Sequence, residues 1–202
     1  PNNPVYQLAA ATFFLKKGEK AKAKSLVEGA LAAWPKEAAW HAQAAALAAE
    51  GDDIQAELTH WEAASAMAPA RPDFSRALGK SYMKNEQNEE ALRVFMDATQ
   101  VDPDNSEGWI GLAKAQYEMG KMSEAMTSAQ RASELEGDGV EGILMMALVA
   151  FKLGELDQAR EYAWAAVRRD PNHPEAVLVL GKVLSAQGRS EELALRREDG
   201  RR

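Results

Sequence analysis

The chain has 202 residues, 46% of them hydrophobic and 27% charged, a composition that is ordinary for a folded domain. It contains no cysteine, which excludes disulfides, thiolate catalysis and cysteine-ligated zinc. The formal net charge of −7 argues against nucleic acid as the main partner, and no apolar run approaches the ~18–20 residues of a membrane span. Because the first residue is proline, we expect a piece of a longer or processed product. The sequence leaves the cytoplasm and the periplasm both open.

A period of 34 residues runs through the chain. Proline or glycine recurs at this period, and so do three series of small residues, one of which is interrupted by Glu57. The positions are Pro35, Pro69, Pro103, Gly137 and Pro171; Ala30, Ala64, Ala98, Ala132 and Ala166; Ala23, Ala91, Ala125 and Ala159; and Ala11, Ala45, Gly79, Ala113, Ala147 and Gly181. A fixed period of this length indicates a stacked array instead of one closed core.

The period divides the chain into six repeats, at 4–37, 38–71, 72–105, 106–139, 140–173 and 174–202. Each repeat contains two helical patterns, predicted at about 5–17 and 20–33 in the first repeat and near 141–153 and 156–169 in the fifth. Small residues at matching points of two helices let their backbones approach closely. Large residues such as Tyr82 and Phe95 are expected to fill the remaining seam.

The third repeat carries the most informative motif, which consists of Leu78-Gly79, Tyr82, Ala91, Phe95, Ala98 and Pro103. This motif resembles the tetratricopeptide repeat family, and similar positions recur in the next two repeats. The resemblance covers nearly the whole chain. It implies an all-α fold, a right-handed α-solenoid that forms one domain over residues 1–202. The sixth repeat is expected to act as a cap, because its second helix, from about Ser190, is short and charged.

Two junctions between repeats allow alternative interpretations. Ser106 is predicted to cap the helix that follows Asp102-Pro103-Asp104. The glycines at 137, 139 and 142 form either a glycine C-cap or a soft hinge between the fourth and fifth repeats.

The resemblance also implies where a ligand would bind, because first helices line the concave face of such solenoids. An acidic row and a basic row then lie two helical turns apart, with apolar groups between them. The candidate peptide-binding residues are Asp73, Arg76, Lys80, Glu107, Ile110, Lys114, Glu141, Leu144, Leu148, Leu178 and Lys182. The acids stand in first turns, where the helix dipole alone would favour them. The lysines stand in mid-helix and have no such explanation.

Two histidines of the second repeat are candidate metal ligands. His41 and His60 could face each other across the two helices of the second repeat. We expect ordinary packing there and no bound metal or cofactor, since no third ligand stands at suitable spacing.

The leading functional hypothesis is a non-enzymatic scaffold that binds a peptide or helix of a partner protein. The alternative is self-assembly into a homo-oligomer, because the charge is +3 in the first repeat, −4, −3 and −3 in the next three, −1 in the fifth and +1 in the last. An enzyme is the third hypothesis. It has little support, because the chain has three histidines and no glycine-rich phosphate loop.

Overall fold

The computed structural model describes residues 4–137 and 139–188, and every regular element in these ranges is an α-helix. The predicted all-α fold of paired helices is confirmed. The helices are α1 (Pro4–Lys16), α2 (Lys20–Ala33), α3 (Ala38–Glu50), α4 (Ile54–Met67), α5 (Pro72–Lys84), α6 (Asn88–Val101), α7 (Ser106–Glu118), α8 (Met122–Leu135), α9 (Glu141–Leu153), α10 (Leu156–Arg169) and α11 (Pro174–Ala186). The predicted second helix of the sixth repeat lies outside the described residues.

The chain divides into two compact halves, Pro1–Asp102 and Pro103–Arg202. In the N-terminal half, α1 to α6 form three helical hairpins. In the C-terminal half, α7 to α10 form two hairpins and α11 begins a third. Within each half, the second helix of one hairpin packs on the first helix of the next, as α4 does on α5 and α8 on α9.

Small residues occupy the points of closest helix approach, as the period predicted. All five alanines of the series that begins at Ala30 are buried, and so are the four of the series that begins at Ala23. Phe95 of α6 fills the space that Gly79 of α5 leaves open, since a Cβ added to Gly79 would lie 2.7 Å from the Cζ atom of the Phe95 ring. The alanines act through the backbone contact that they permit, because they have little side chain to pack.

The second alanine series, which begins at Ala23, is interrupted by Glu57. It is a buried glutamate on α4, and its Oε2 atom lies 3.4 Å from the Nζ atom of Lys84 on α5. The buried carboxylate has a partly exposed cation beside it, because an unpaired carboxylate would be costly there. The ion pair thus links the second helix of one repeat to the first helix of the next.

The two junctions differ in part from expectation. The prediction of Ser106 as a helix cap is wrong, because α7 begins at Ser106 and the side chain of Asn105 accepts a hydrogen bond from the Gly108 amide at 3.4 Å. At the glycine junction, Gly137 has a φ of +61°, the left-handed conformation typical of a residue just beyond a helix. Gly142 is buried, and a Cβ there would lie 2.4 Å from the backbone nitrogen of Ser133. This packing favours the C-cap interpretation over the hinge.

Gly79→Ala should destabilise the protein by about 1–3 kcal/mol, because the added methyl group overlaps the buried Phe95 ring. Gly29→Ala is the matched control. Gly29 lies in mid-helix with nothing within 4 Å of an added Cβ, so the substitution should stabilise by about 0.5–1 kcal/mol. Urea unfolding monitored by circular dichroism measures both. Equal effects of the two substitutions would contradict the close approach at Gly79.

Candidate functional site

The first helices of the C-terminal half lie side by side, because α7 contacts α9 and α9 contacts α11. Between α9 and α11 they leave an open groove of about 670 Å³. Its lining is mostly apolar, with one cation: Phe151 from α9, and Val177, Leu178, Gly181, Lys182, Ser185 and Ala186 from α11. A groove of this kind can hold an apolar side chain of a ligand and place an acidic group beside the lysine.

The structure places two of the predicted site residues, Leu178 and Lys182, in this groove. Leu178 is 56% exposed, which is unusual for a large apolar side chain. Leu144 is only 3% exposed and packs in the core that the fifth and sixth repeats share. Leu144 therefore belongs to the buried core and is not accessible to a ligand.

The remaining predicted residues of the C-terminal half lie on α7 and α9. Glu107, Lys114 and Glu141 are exposed, whereas Ile110 and Leu148 are half-buried. Leu148 packs against the buried core of the half. The charged residues are thus accessible, while Ile110 and Leu148 offer only part of their surface.

Glu141 also interacts with Glu136, the C-cap residue that follows α8. Burial raises the pKa of Glu136, and the carboxyl of Glu141 adds to this effect. The pKa of Glu141 is lowered despite its desolvation, because its carboxylate accepts backbone hydrogen bonds, including one from the Val140 amide at 3.1 Å. The second Glu136 oxygen accepts a hydrogen bond from the Gly142 amide at 2.8 Å. This pair holds the start of α9 against the end of α8, so Glu141 has a structural role beside any role in binding.

In the N-terminal half, α5 carries Asp73, Arg76 and Lys80. The Arg71 guanidinium donates two hydrogen bonds to the Asp73 carboxylate, at 2.9 and 2.7 Å, and this contact lowers the pKa of Asp73. Arg76 pairs with Asp102 at 3.3 Å and is largely covered. Lys80 is exposed. A ligand would therefore have to displace existing ion pairs to use Asp73 or Arg76.

Sequence reasoning missed several groove residues, among them Phe151, Val177 and Ser185. One signal was present in the series of small residues. Gly181 belongs to that series, but no described residue lies within 4 Å of a Cβ placed on it. Among residues 4–137 and 139–188, no side chain occupies the space beside Gly181 as Phe95 does beside Gly79.

The two histidines of the second repeat meet as the sequence suggested. Their Nδ1 atoms lie 3.1 Å apart, and the Nε2 atom of His41 lies 3.1 Å from the carbonyl oxygen of Pro35. Because that carbonyl can only accept, His41 carries its proton on Nε2 when neutral, and the Nδ1–H of His60 donates to His41. Burial lowers the pKa of His60, and the nearby His41 lowers it further. Two fully protonated rings would place two N–H donors against each other.

No group of three or more histidine, aspartate or glutamate side chains in the described ranges could hold a metal ion. No helix within residues 4–137 and 139–188 is both long enough and apolar enough to cross a membrane.

Comparison with known proteins identifies the family. Two signatures described as tetratricopeptide repeat match residues 82–145 and 144–192, which together span more than half of the chain. The chain therefore belongs to the tetratricopeptide repeat family, as its motifs suggested. Proteins of this family are generally scaffolds that bind protein or peptide partners, and their fold is typically non-catalytic. No curated protein matches the sequence significantly.

Solved structures with a similar fold confirm the α-solenoid class. PilW, described as a widely conserved type IV pilus biogenesis factor, aligns with a TM-score of 0.84 at 16% identity, over 96% of this chain and 92% of its own. The pilF protein of Pseudomonas aeruginosa aligns with a TM-score of 0.76 at 20% identity, over 95% and 88%. YrrB, a tetratricopeptide repeat protein with an unusual peptide-binding site, aligns with a TM-score of 0.63 at 20% identity, over 83% and 86%.

The histidine pair predicts a pH-dependent stability. Since the pKa of His60 is below 6.5 in the folded state, the unfolded chain binds more protons as the pH falls from about 6.5. The free energy of unfolding should therefore decrease in that direction, by less than about 1.4 kcal/mol per pH unit, because His60 is only partly buried. Urea unfolding between pH 5 and 8 measures the slope. His60→Asn, whose amide can still donate to His41, should reduce the slope; an unchanged slope would contradict this account.

Proposed function

We propose that the protein is a non-enzymatic interaction module that binds a peptide or helix of a partner protein along the first helices of its C-terminal half. The groove between α9 and α11 carries this proposal. It combines an apolar floor, an exposed leucine and one cation in about 670 Å³. Binding grooves for peptides use this combination of apolar pockets and a few charged groups.

The groove favours a ligand of a particular chemistry. No described residue fills the space beside Gly181, so an apolar side chain of a ligand could lie there against Phe151 and Leu178. Lys182 is the next residue on the helix and is exposed, so a carboxylate beside that apolar side chain would meet it. Lys114 and Glu107 on α7 extend the accessible charged surface. We therefore expect a segment with an apolar residue next to an acidic one.

Within the N-terminal half, Lys80 of α5 is exposed and remains a predicted contact. Asp73 and Arg76 remain predicted contacts, but their ion pairs with Arg71 and Asp102 would oppose engagement by a ligand. The structure gives self-assembly no added support. Lys20, Lys22 and Lys24 of the first repeat already pair with Glu50, Glu19 and Glu28 in the same half.

A library of random twelve-residue peptides displayed on phage, selected against the whole chain, provides the probe for this proposal. Peptides chosen by the parent protein should bind Lys182→Glu and Leu178→Asp at least tenfold more weakly, a loss of about 1.4 kcal/mol or more. Arg168→Glu makes the same charge change as Lys182→Glu on an exposed position of the second helix α10 and should bind as the parent does. Fluorescence anisotropy with the synthetic peptides measures the affinities. Peptides that bind both groove variants as tightly as the parent would overturn the proposal.

A further inference from the structure

The outer face of α1 keeps aromatic side chains exposed where later repeats bury the corresponding residue. Tyr6 is 75% exposed and Phe13 is 52% exposed. At the 34-residue period, Tyr6 corresponds to five positions that are all buried: Trp40, Phe74, Gly108, Gly142 and Ala176. Phe13 corresponds to half-buried Leu47 and to four buried positions: Ser81, Ala115, Val149 and Val183. The face of α1 thus has the character of an interior surface.

In later repeats, the corresponding face of the first helix packs on the second helix of the preceding repeat. The ring of Phe74 on α5 packs on Trp61 of α4, with their centroids 6.0 Å apart. The neighbouring hydroxyls of Ser75 and Ser65 lie 3.2 Å apart. In the C-terminal half, Gly142 of α9 lies against the backbone of α8 in the same way. This side of a first helix is therefore built to receive the second helix of a preceding repeat.

A groove beside α1 has a shape that suits a helix. It lies between α1 and α2, has a volume of about 610 Å³, and is lined in part by Phe14, Leu26, Gly29 and Ala33. Small residues in its floor can accept the ridge of side chains on another helix. A lipid surface has no ridge to enter such a groove, so the shape favours a protein helix over a membrane.

The positive charges around the exposed face of α1 favour a helix that carries acidic residues. Lys16 corresponds by the period to Lys84, which pairs with Glu57 of the preceding helix α4 at 3.4 Å. Lys17 lies over the Phe13 ring, 4.8 Å from its centroid, and Lys22 lies 5.5 Å from the centroid of the Phe14 ring. Lys22 already pairs with Glu19. Lys16 and Lys17 are therefore the cations that would repel their counterparts if two copies paired through this face, and that carboxylates on a docked helix would complement.

We propose that the exposed face of α1 is a docking site for an amphipathic α-helix that carries carboxylates beside its apolar stripe. The helix lays its apolar stripe on Tyr6 and Phe13 and presents a carboxylate to Lys16. This docking surface belongs to the N-terminal half. It involves none of the groove residues of α9 and α11, so either surface can fail without the other.

The chain itself contains a suitable probe. The probe is a fluorescein-labelled synthetic peptide of residues 54–67, the sequence of α4, which packs on the corresponding face of α5. Gln55→Lys and Thr59→Glu, at exposed positions one turn apart, are joined by a lactam bridge, because an unconstrained peptide of 14 residues is only marginally helical. Titration with the whole chain at pH 7, followed by fluorescence anisotropy, should show saturable binding that weakens as salt increases.

Substitutions in the whole chain test the contacts. Phe13→Glu should weaken binding more than tenfold, while Met96→Glu, the same kind of change at an exposed apolar residue of α6, should not. Lys16→Glu should weaken binding several-fold, whereas the control Lys36→Glu should leave it unchanged. A peptide that also carries Glu57→Lys should recover binding to Lys16→Glu, because the ion pair is restored with its charges exchanged.

Four results would overturn the proposal. The first is no saturable binding of the peptide to the parent chain. The second is equal weakening by Phe13→Glu and Met96→Glu. The third is a dimer of the parent chain, seen by sedimentation without peptide and lost on Phe13→Glu, which would assign the face to a second copy. The fourth is binding to vesicles of phosphatidylglycerol that Phe13→Glu abolishes, which would assign it to a lipid surface.

Discussion

The architecture depends on the close approach of helix backbones at small residues that recur every 34 positions. Alanine at Ala30, Ala64 and their equivalents allows helices to pack without intervening side chains, so each hairpin presents a flat side to the next. Where glycine replaces alanine, as at Gly79, a large residue of the neighbouring helix occupies the space. Where a charge replaces it, as at Glu57, a cation from the next repeat accompanies the charge. The packing therefore requires a small residue at most of the periodic positions. Where the residue there is Gly79 or Glu57, it requires a matching side chain on a neighbouring helix.

This stacking of hairpins also explains where apolar side chains remain accessible to solvent. A repeat in the middle of a half covers one side of each neighbour, whereas α1 has a side that its own hairpin cannot cover. The first helices α9 and α11 additionally form an open groove whose lining includes Phe151 and Leu178. Both candidate binding surfaces thus follow from the packing scheme, one from the uncovered side of α1 and one from the row of first helices.

The sequence predicted the helix boundaries well, because the 34-residue period places the two helices at the same positions in every repeat. α9 and α10 match their predicted ranges, and α1 begins and ends within one residue of its predicted range. The candidate site was harder to predict. α9 is apolar on most of its circumference, so the pattern could not separate buried Leu144 from accessible side chains nearby. The cap at Asn105 and the Nδ1 contact between His41 and His60 depend on local angles that spacing does not fix. Gly181 looked like its counterpart Gly79, but no aromatic ring of the described residues packs on Gly181 as Phe95 packs on Gly79.

The most direct measurement of the central claim compares two leucine substitutions in one helix. Ala30 of α2 is buried at a helix contact, while Ala32, two residues later, is exposed. If close approach at the small residues holds the array together, Ala30→Leu should lower the free energy of unfolding in urea by about 1–3 kcal/mol. Ala32→Leu should change it by less than about 0.5 kcal/mol. Equal effects of the two substitutions would contradict the account, because residue size at the periodic positions would then not determine the packing.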